Sequence, residues 1–254
     1  MMKNQNFDLD RGIFSLAFTV VRYNWVPCGG AALLLLVTNL GQGYLYAPLA
    51  FVVLRALIIM IVGYSAYRVL LTDGGVAGWR TLGTDGGRIP WRYAGVMLMI
   101  LAPILILGIV WSAPGTGAGP SNPGQIVFGV TMTVGYAAIY VLLGTALPEV
   151  AERGEVVLGD AFQRGRTNYR AIAKSMILGA WLFRAGSVAA LIIASLMGVP
   201  VDLFGGPTGG LQHAALLPML MFTSCHVFAE VLTAVVLVRA YRRFPVSPSH
   251  AIPA

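Results

Sequence analysis

Residues 170–198 read RAIAKSMILGAWLFRAGSVAALIIASLMG, and this stretch decides the class of fold. Two basic residues, Arg170 and Lys174, stand at its start, and one further charge, Arg184, interrupts the apolar run that follows. A helix needs ~20 mostly apolar residues to cross the hydrocarbon core of a bilayer. The stretch therefore predicts a membrane-spanning helix with basic residues at one end.

The rest of the chain has the same character. Hydrophobic residues make up 57% of the 254 residues and charged residues 11%, a composition that excludes an ordinary soluble domain. Six apolar runs predict spanning helices, at about 25–41, 45–68, 92–113, 125–149, 172–198 and 214–239. We therefore predict an all-α, polytopic membrane protein with a single membrane domain over residues 1–254. The first run is short, and whether it crosses fully stays open.

The basic residues outside these runs occupy alternate connections. The connections at about 41–44, 114–124 and 199–213 carry no Lys or Arg, whereas the intervening ones and both terminal regions carry nearly all of them. In multi-pass proteins the Lys- and Arg-rich connections face the cytoplasm. The pattern predicts a bacterial cytoplasmic (inner) membrane protein with both termini inside. Its +7 net charge does not indicate nucleic-acid binding, because the basic residues cluster at helix ends; anionic lipid headgroups are the expected partners.

Three segments on the predicted cytoplasmic side, about 12–24, 76–90 and 156–170, each precede a pair of spans. The first and third can be aligned, and the matched pairs are Ala17 with Ala161, Phe18 with Phe162, Arg22 with Arg166, Asn24 with Asn168, and Trp25 with Tyr169. The alignment predicts an internal repeat in which a short helix leads into a span.

The third segment predicts an amphipathic helix. Its apolar residues form one stripe, at Val157, Leu158, Ala161 and Phe162, with Gln163 and the arginines on the remaining face. Such a helix lies in the membrane interface, or alternatively its stripe packs on neighbouring spans. The residues predicted to contact lipid headgroups are Trp79, Arg80, Arg88, Arg92, Arg164, Arg166 and Arg170. Two TDGG copies near Arg80 indicate turns, with a phosphate contact as the alternative.

Two neighbouring motifs, LPEVAERG (Leu147 to Gly154) and LGDAFQRG (Leu158 to Gly165), precede the fifth predicted span. They resemble a group of bacterial membrane proteins, the YciC-type inner-membrane proteins and the membrane domains fused to some glycerophosphodiester phosphodiesterases. In that group a span ends near a Gly, and a helix of pattern Leu-small-x-Ala/Ser-Phe-x-Arg-Gly leads into the next span. The resemblance covers about residues 140–200, and more faintly 10–40. It implies a fold and a membrane location but no activity, since the sequence shows no phosphodiesterase catalytic domain.

Charged residues inside the predicted spans are candidates for function, because each costs ~2.5–3.5 kcal/mol or more at the centre of a spanning helix. The candidates are Arg55, Arg184, His226 and Glu230. Arg184 and Glu230 lie at similar predicted depths, so adjacent antiparallel helices would pair them. His226 stands one turn before Glu230, on the same helix face. The cluster predicts either a proton or cation site or a structural ion pair beside a hydrogen-bonded histidine.

No catalytic motif, cofactor site or metal site is predicted. The two cysteines, Cys28 and Cys225, lie in apolar stretches and form no ligand cluster, and His213 and His250 stand apart from the intramembrane candidates. The leading hypothesis is a non-enzymatic protein that organises lipid or acts as an accessory subunit of a larger membrane complex. The alternative is a small transporter or channel that uses Arg55, Arg184 and Glu230. A membrane-embedded lipid enzyme would need a polar cluster at one interface, which the sequence alone does not assemble.

Overall fold

The computed structural model describes residues 11–44, 48–71, 91–111, 135, 137–200, 210 and 212–244. All regular structure in these ranges is helical. The helices are α1 (Ile13–Tyr23), α2 (Trp25–Tyr44), α3 (Pro48–Leu71), α4 (Trp91–Trp111), α5 (Ala146–Arg153), α6 (Leu158–Thr167), α7 (Tyr169–Met176), α8 (Leu182–Leu196) and α9 (His213–Arg243). Residues 137–143 are also helical, and a π-helical turn, Ile177–Trp181, joins α7 to α8. The predicted all-α membrane class is confirmed.

Three stretches are long and apolar enough to cross a membrane, namely Val53–Leu71, Tyr169–Leu196 and His213–Arg243. The helices α1 and α2 add a fourth if Ile13–Tyr23 and Trp25–Gly41 count as one span bent by 89°. The part of α4 at Trp91–Ala102 is apolar but shorter, and the predicted fourth span, 125–149, lies partly outside the described residues. The described part of the chain thus contains three or four candidate spans, fewer than the six predicted.

The C-terminal helix α9 is the centre of the bundle. It packs against α1, α2, α3 and α8, and it is buried almost continuously from Val227 to Tyr241. The span formed by α7 and α8 differs, since most of its surface is exposed and α8 packs chiefly on α9. Apolar side chains exposed on such a helix suit a lipid environment, where their burial inside the protein is not required.

One end of the bundle gathers basic residues, and we call it the basic end. There Arg239 of α9 donates a hydrogen bond to the carbonyl oxygen of Arg11, just before α1. Arg92 of α4 lies 2.8 Å from the carboxylate of Glu155, just after α5. The contacts therefore join helix ends that the sequence predicts on one side of the membrane, namely the start of α1 with the end of α9, and the start of α4 with the end of α5.

The first and third predicted interfacial segments adopt the same local structure. Helix α1 ends at Tyr23 and α2 begins at Trp25, with Asn24 between them; likewise α6 ends at Thr167 and α7 begins at Tyr169, with Asn168 between them. The backbone N–H of each Asn bonds the carbonyl four residues earlier, at 2.9 Å for Asn24 and 3.1 Å for Asn168. The internal repeat predicted from the alignment is thus present in the backbone of these two segments.

Candidate functional site

A buried ion pair joins α5 to α6 at the basic end. The guanidinium of Arg164 on α6 donates to the carboxylate of Glu149 on α5, and the two side chains are only 6% and 5% exposed. Arg164 also donates through Nε to the hydroxyl of Thr145, at 3.4 Å, and lies 5.2 Å from the centre of the Tyr241 ring on α9. Both charges are therefore compensated, as buried ions must be.

The ion pair continues into a network that reaches the end of α9. The hydroxyl of Tyr241 donates to the carboxylate of Glu152, at 2.7 Å, and Arg242 donates to the same carboxylate, at 2.6 Å. Helix α6 is thereby connected through α5 to the central helix. We call this set of residues the clamp: Thr145, Glu149, Glu152, Arg164, Tyr241 and Arg242.

Gly165 and Ala161 allow close packing at the clamp, and Gly154 ends one of its helices. A Cβ added at Gly165 would lie 2.6 Å from the Cα of Leu142, so only glycine lets α6 come this near to residues 137–143. Gly154 ends α5 with φ of 71°, the left-handed conformation that favours glycine at a helix end. Ala161 is fully buried on the same side of α6 as Gly165. The motifs at 147–154 and 158–165 thus supply half of the clamp, Glu149, Glu152 and Arg164, together with these three small residues.

The clamp corrects the predicted location of Arg164. The prediction that Arg164 contacts lipid headgroups required an exposed side chain, whereas the described structure buries this side chain against Glu149. Phe162, Arg166 and Arg170 are exposed, on the surface that α6 and the start of α7 leave uncovered. The apolar stripe of the third segment is therefore divided, with Ala161 facing the protein.

The other residues predicted to contact lipid headgroups differ in whether the structure describes them. Arg92 is exposed and forms a surface ion pair with Glu155. Trp79, Arg80 and Arg88, with the interfacial segment predicted at 76–90, lie outside the described residues.

Within the spans, the pairing of Arg184 with Glu230 is confirmed. The guanidinium of Arg184 on α8 donates to the carboxylate of Glu230 on α9, and these side chains are 22% and 7% exposed. Glu230 is thus buried almost as deeply as Glu149, but its partner lies on a helix with few other contacts. The hydroxyl of Ser187 donates a hydrogen bond to the backbone carbonyl of Arg184, at 2.7 Å, so the helix turn that follows Arg184 carries a polar side chain.

The other two intramembrane candidates lie near this pair. The guanidinium of Arg55 on α3 donates to the side-chain oxygen of Asn39 on α2. Both Arg55 and Arg184 are close enough to His226 on α9 to act on its imidazole electrostatically. Four helices therefore bring donors, a carboxylate and an imidazole to one region inside the bundle. We call Asn39, Arg55, Arg184, His226 and Glu230 the intramembrane cluster.

Several of these residues were not predicted from the sequence. Glu149 was missed although it is an acidic residue at the end of the predicted fourth span, where an unpaired carboxylate would be costly. Its partner stands fifteen residues further along, on another helix, and no periodicity links the two. Asn39 was missed because a lone amide in a spanning helix is a weak signal.

Comparison with protein-family models, with curated proteins and with solved structures found no match to this chain.

Proposed function

We propose that this chain is a protein of the bacterial cytoplasmic membrane, with its basic end inside, that organises anionic lipid or acts as an accessory subunit of a membrane complex. The alternation of basic connections supports this orientation. The clamp is the observation that carries the lipid proposal. It holds the inner face of α6 through a buried ion pair, so the opposite face stays available to a partner.

That opposite face has the composition of a lipid contact. Phe162 and Tyr169 are 45% and 42% exposed, next to the exposed guanidiniums of Arg166 and Arg170. Helices that lie in an interface insert apolar and aromatic side chains while their basic residues meet anionic headgroups. The equivalent surface of α1 presents Phe18, Trp25 and Arg22. The similar composition of these two helices supports a contact with lipid.

The test is lipid enrichment around the purified protein. We expect protein extracted from liposomes of phosphatidylcholine and phosphatidylglycerol to retain phosphatidylglycerol above its bulk fraction. Each basic residue near an anionic surface contributes ~1 kcal/mol, so R166Q/R170Q is expected to weaken retention more than ~10-fold. The control is R153Q, which removes one exposed charge that lies near a carboxylate of the protein itself and leaves Arg164 paired with Glu149. Equal retention in wild type and R166Q/R170Q would remove the proposal.

The intramembrane cluster favours a second candidate function, ion or proton transport. Its support is the convergence of Arg55, Arg184, His226 and Glu230 from three helices, since ionisable groups inside spans accompany ion pathways in many transporters. Glu230 is the residue that would exchange a proton or bind a cation, and Arg184 would hold it in place.

Glu230→Gln separates transport from a structural role. A transport role predicts that the variant folds and keeps its thermal stability but loses proton or K⁺ flux in proteoliposomes. A structural role predicts a lower unfolding temperature, because Arg184 loses its charged partner. If wild-type proteoliposomes are no more permeable to these ions than empty ones, the transport candidate is excluded for protons and K⁺.

A further inference from the structure

The span formed by α7 and α8 is interrupted by a π-helical turn that its counterpart in the first repeat lacks. Helix α2 is α-helical throughout, from Trp25 to Tyr44. The equivalent helix after Asn168 contains the π turn Ile177–Trp181, where the backbone N–H of Leu182 reaches the carbonyl oxygen five residues earlier. A single π turn within an α-helix holds one extra residue and is frequent at functional sites.

The extra residue brings the two repeats into register. Asn39 on α2 lies fifteen residues after Asn24, whereas Arg184 on α8 lies sixteen residues after Asn168. Once the residue added by the π turn is left out, the two distances along the chain are equal. Asn39 and Arg184 therefore occupy the same position of the repeat.

These two equivalent residues make equivalent contacts. Asn39 accepts a hydrogen bond from Arg55 on α3, the helix that follows α2. Arg184 donates a hydrogen bond to Glu230 on α9, the helix that follows α8. In each repeat, one polar side chain of the first span thus joins a charged side chain of the second span.

The repeat also continues into these second spans. Helices α3 and α9 both end close to the tripeptide Ala-Tyr-Arg, at 66–68 and at 240–242. Arg55 lies eleven residues before the first tripeptide, and Glu230 lies ten residues before the second. The two hydrogen-bonded pairs therefore match in depth to within one residue, or ~1.5 Å along a helix.

The π turn is packed against the bundle on one side and exposed on the other. Gly179 and Ala180 are buried, and Trp181 packs against the core. Leu178, by contrast, is 53% exposed. Helix α8, which follows, packs chiefly on α9 and has most of its surface exposed. The rotation of α8 about its own axis is therefore determined largely by this turn.

We infer that the π turn is a one-residue insertion that positions Arg184 in the intramembrane cluster. In a continuous α-helix over residues 169–196, Phe183 would take the position equivalent to Asn39, and Arg184 would turn by ~100° about the helix axis. Its guanidinium would then leave Glu230 for the exposed surface of α8, where a charge inside a span is costly. The π turn positions the arginine in this way whether the cluster transports ions or only stabilises the fold.

Single-residue deletions at matched places test this inference. Leu33 on α2 and Leu178 stand at equivalent positions of the repeat, and they are 54% and 53% exposed. Deletion of Leu178 removes the extra residue, so the span becomes a continuous α-helix in which Arg184 still faces α9. Deletion of Leu33 instead turns Asn39 away from its partner. We expect the first deletion to shift the unfolding temperature by less than ~4 °C and the second to lower it by more.

Cross-linking measures the rotation of α8 separately from stability. Ser187 on α8 and Cys225 on α9 line the same cavity, so their side chains face a common space. Ser187→Cys combined with Cys28→Ala leaves one thiol on each helix for dibromobimane, a short reagent that fluoresces once it joins two thiols. We expect deletion of Leu178 to keep the yield within about twofold. Insertion of one alanine after Leu178 should lower the yield about tenfold, because it turns α8 by a further ~100°.

Three results would overturn the inference. They are loss of the cross-link on deletion of Leu178, retention of the cross-link after the alanine insertion, and equal losses of stability in the deletions of Leu33 and Leu178. Failure of the transport candidate gives a different result. If Glu230→Gln leaves ion flux unchanged, transport through this residue is excluded, while the cross-linking yields still report how α8 is positioned.

Discussion

Helices α1 and α6 occupy equivalent places in the internal repeat, yet they are attached to the bundle in different ways. The buried residues of α1 are Leu16, Ala17 and Val20, an apolar contact against α9. Those of α6 are Ala161, Arg164 and Gly165. In the alignment Val20 matches Arg164, so an apolar contact in one helix corresponds to a buried ion pair in the other.

The difference shows that two helices with the same local backbone structure can be held to the bundle by different kinds of interaction. An apolar contact tolerates small shifts, because dispersion and burial change gradually with distance. A buried ion pair is more specific, since each charge needs its partner at hydrogen-bond distance. We infer that α6 is held in one orientation more strictly than α1. Variants that remove each contact separately test this difference.

Removing the arginine of the clamp should have the largest effect. Arg164→Met leaves the buried Glu149 with only the exposed Arg153, at 4.0 Å, as a basic neighbour, and we expect a loss of ~3–5 kcal/mol in the free energy of unfolding. Val20→Ala, the matched change in α1, removes two buried carbon atoms and should cost only about 2 kcal/mol. Equilibrium unfolding of both variants in mixed micelles gives the two values. Equal losses would contradict the proposed difference between the helices.

Adding a methyl group where α6 lies closest to residues 137–143 should have the next largest effect on stability. Gly165→Ala places a methyl group against the backbone at Leu142, and overpacking of this kind costs ~1–3 kcal/mol. The control on the same helix is Gly159→Ala, where an added Cβ meets nothing within 4 Å. That control should stabilise the helix by about 0.5–1 kcal/mol, because alanine is the better helix former. Thermal unfolding of the two variants should therefore shift in opposite directions.

The smallest predicted effect concerns the two asparagines at the helix breaks. Asn168 donates from Nδ2 to the carbonyl oxygen of Arg164, at 3.1 Å. Asn24 is 1% exposed, and its side-chain oxygen and nitrogen make no hydrogen bond within the described structure. Asn24→Leu should therefore stabilise the protein by ~1 kcal/mol, whereas Asn168→Leu should destabilise it by a similar amount. Unfolding temperatures check the signs, and a loss in both variants would contradict this account of Asn24.

Local patterns in the sequence were sufficient for the helical class and for much of the repeat. The apolar runs gave most of the helices, and the spacing of Ala17 and Asn24 against Ala161 and Asn168 gave the shared break. The Arg184–Glu230 pair was predictable because both charges are isolated in apolar helices at similar depth. Each of these signals can be read from the sequence of a single helix, or from the position of a charged residue along a helix.

The clamp was not predictable in the same way, because it depends on how three helices meet. Arg164 belongs to a polar stretch and resembles its neighbours Arg166 and Arg170 in sequence. Only the close approach that Gly165 permits turns Arg164 toward Glu149 and leaves the other two exposed. A helix with several arginines therefore does not reveal which of them is buried. The described residues contain three or four candidate spans where the sequence predicts six over the whole chain, since an apolar run predicts a crossing without fixing helix length or bending.

The most direct test of the account is the accessibility of α6 in a bilayer. Single cysteines at Phe162 and Arg166, in a background with Cys28 and Cys225 replaced, would carry spin labels in liposomes that contain phosphatidylglycerol. Labels at the equivalent residues of α1, Phe18 and Arg22, provide the comparison. We predict that a nickel chelate on a lipid headgroup relaxes all four labels more strongly than a water-soluble chelate does. Labels on α6 that respond only to the water-soluble chelate, or to neither, would contradict a clamped helix that faces the membrane surface.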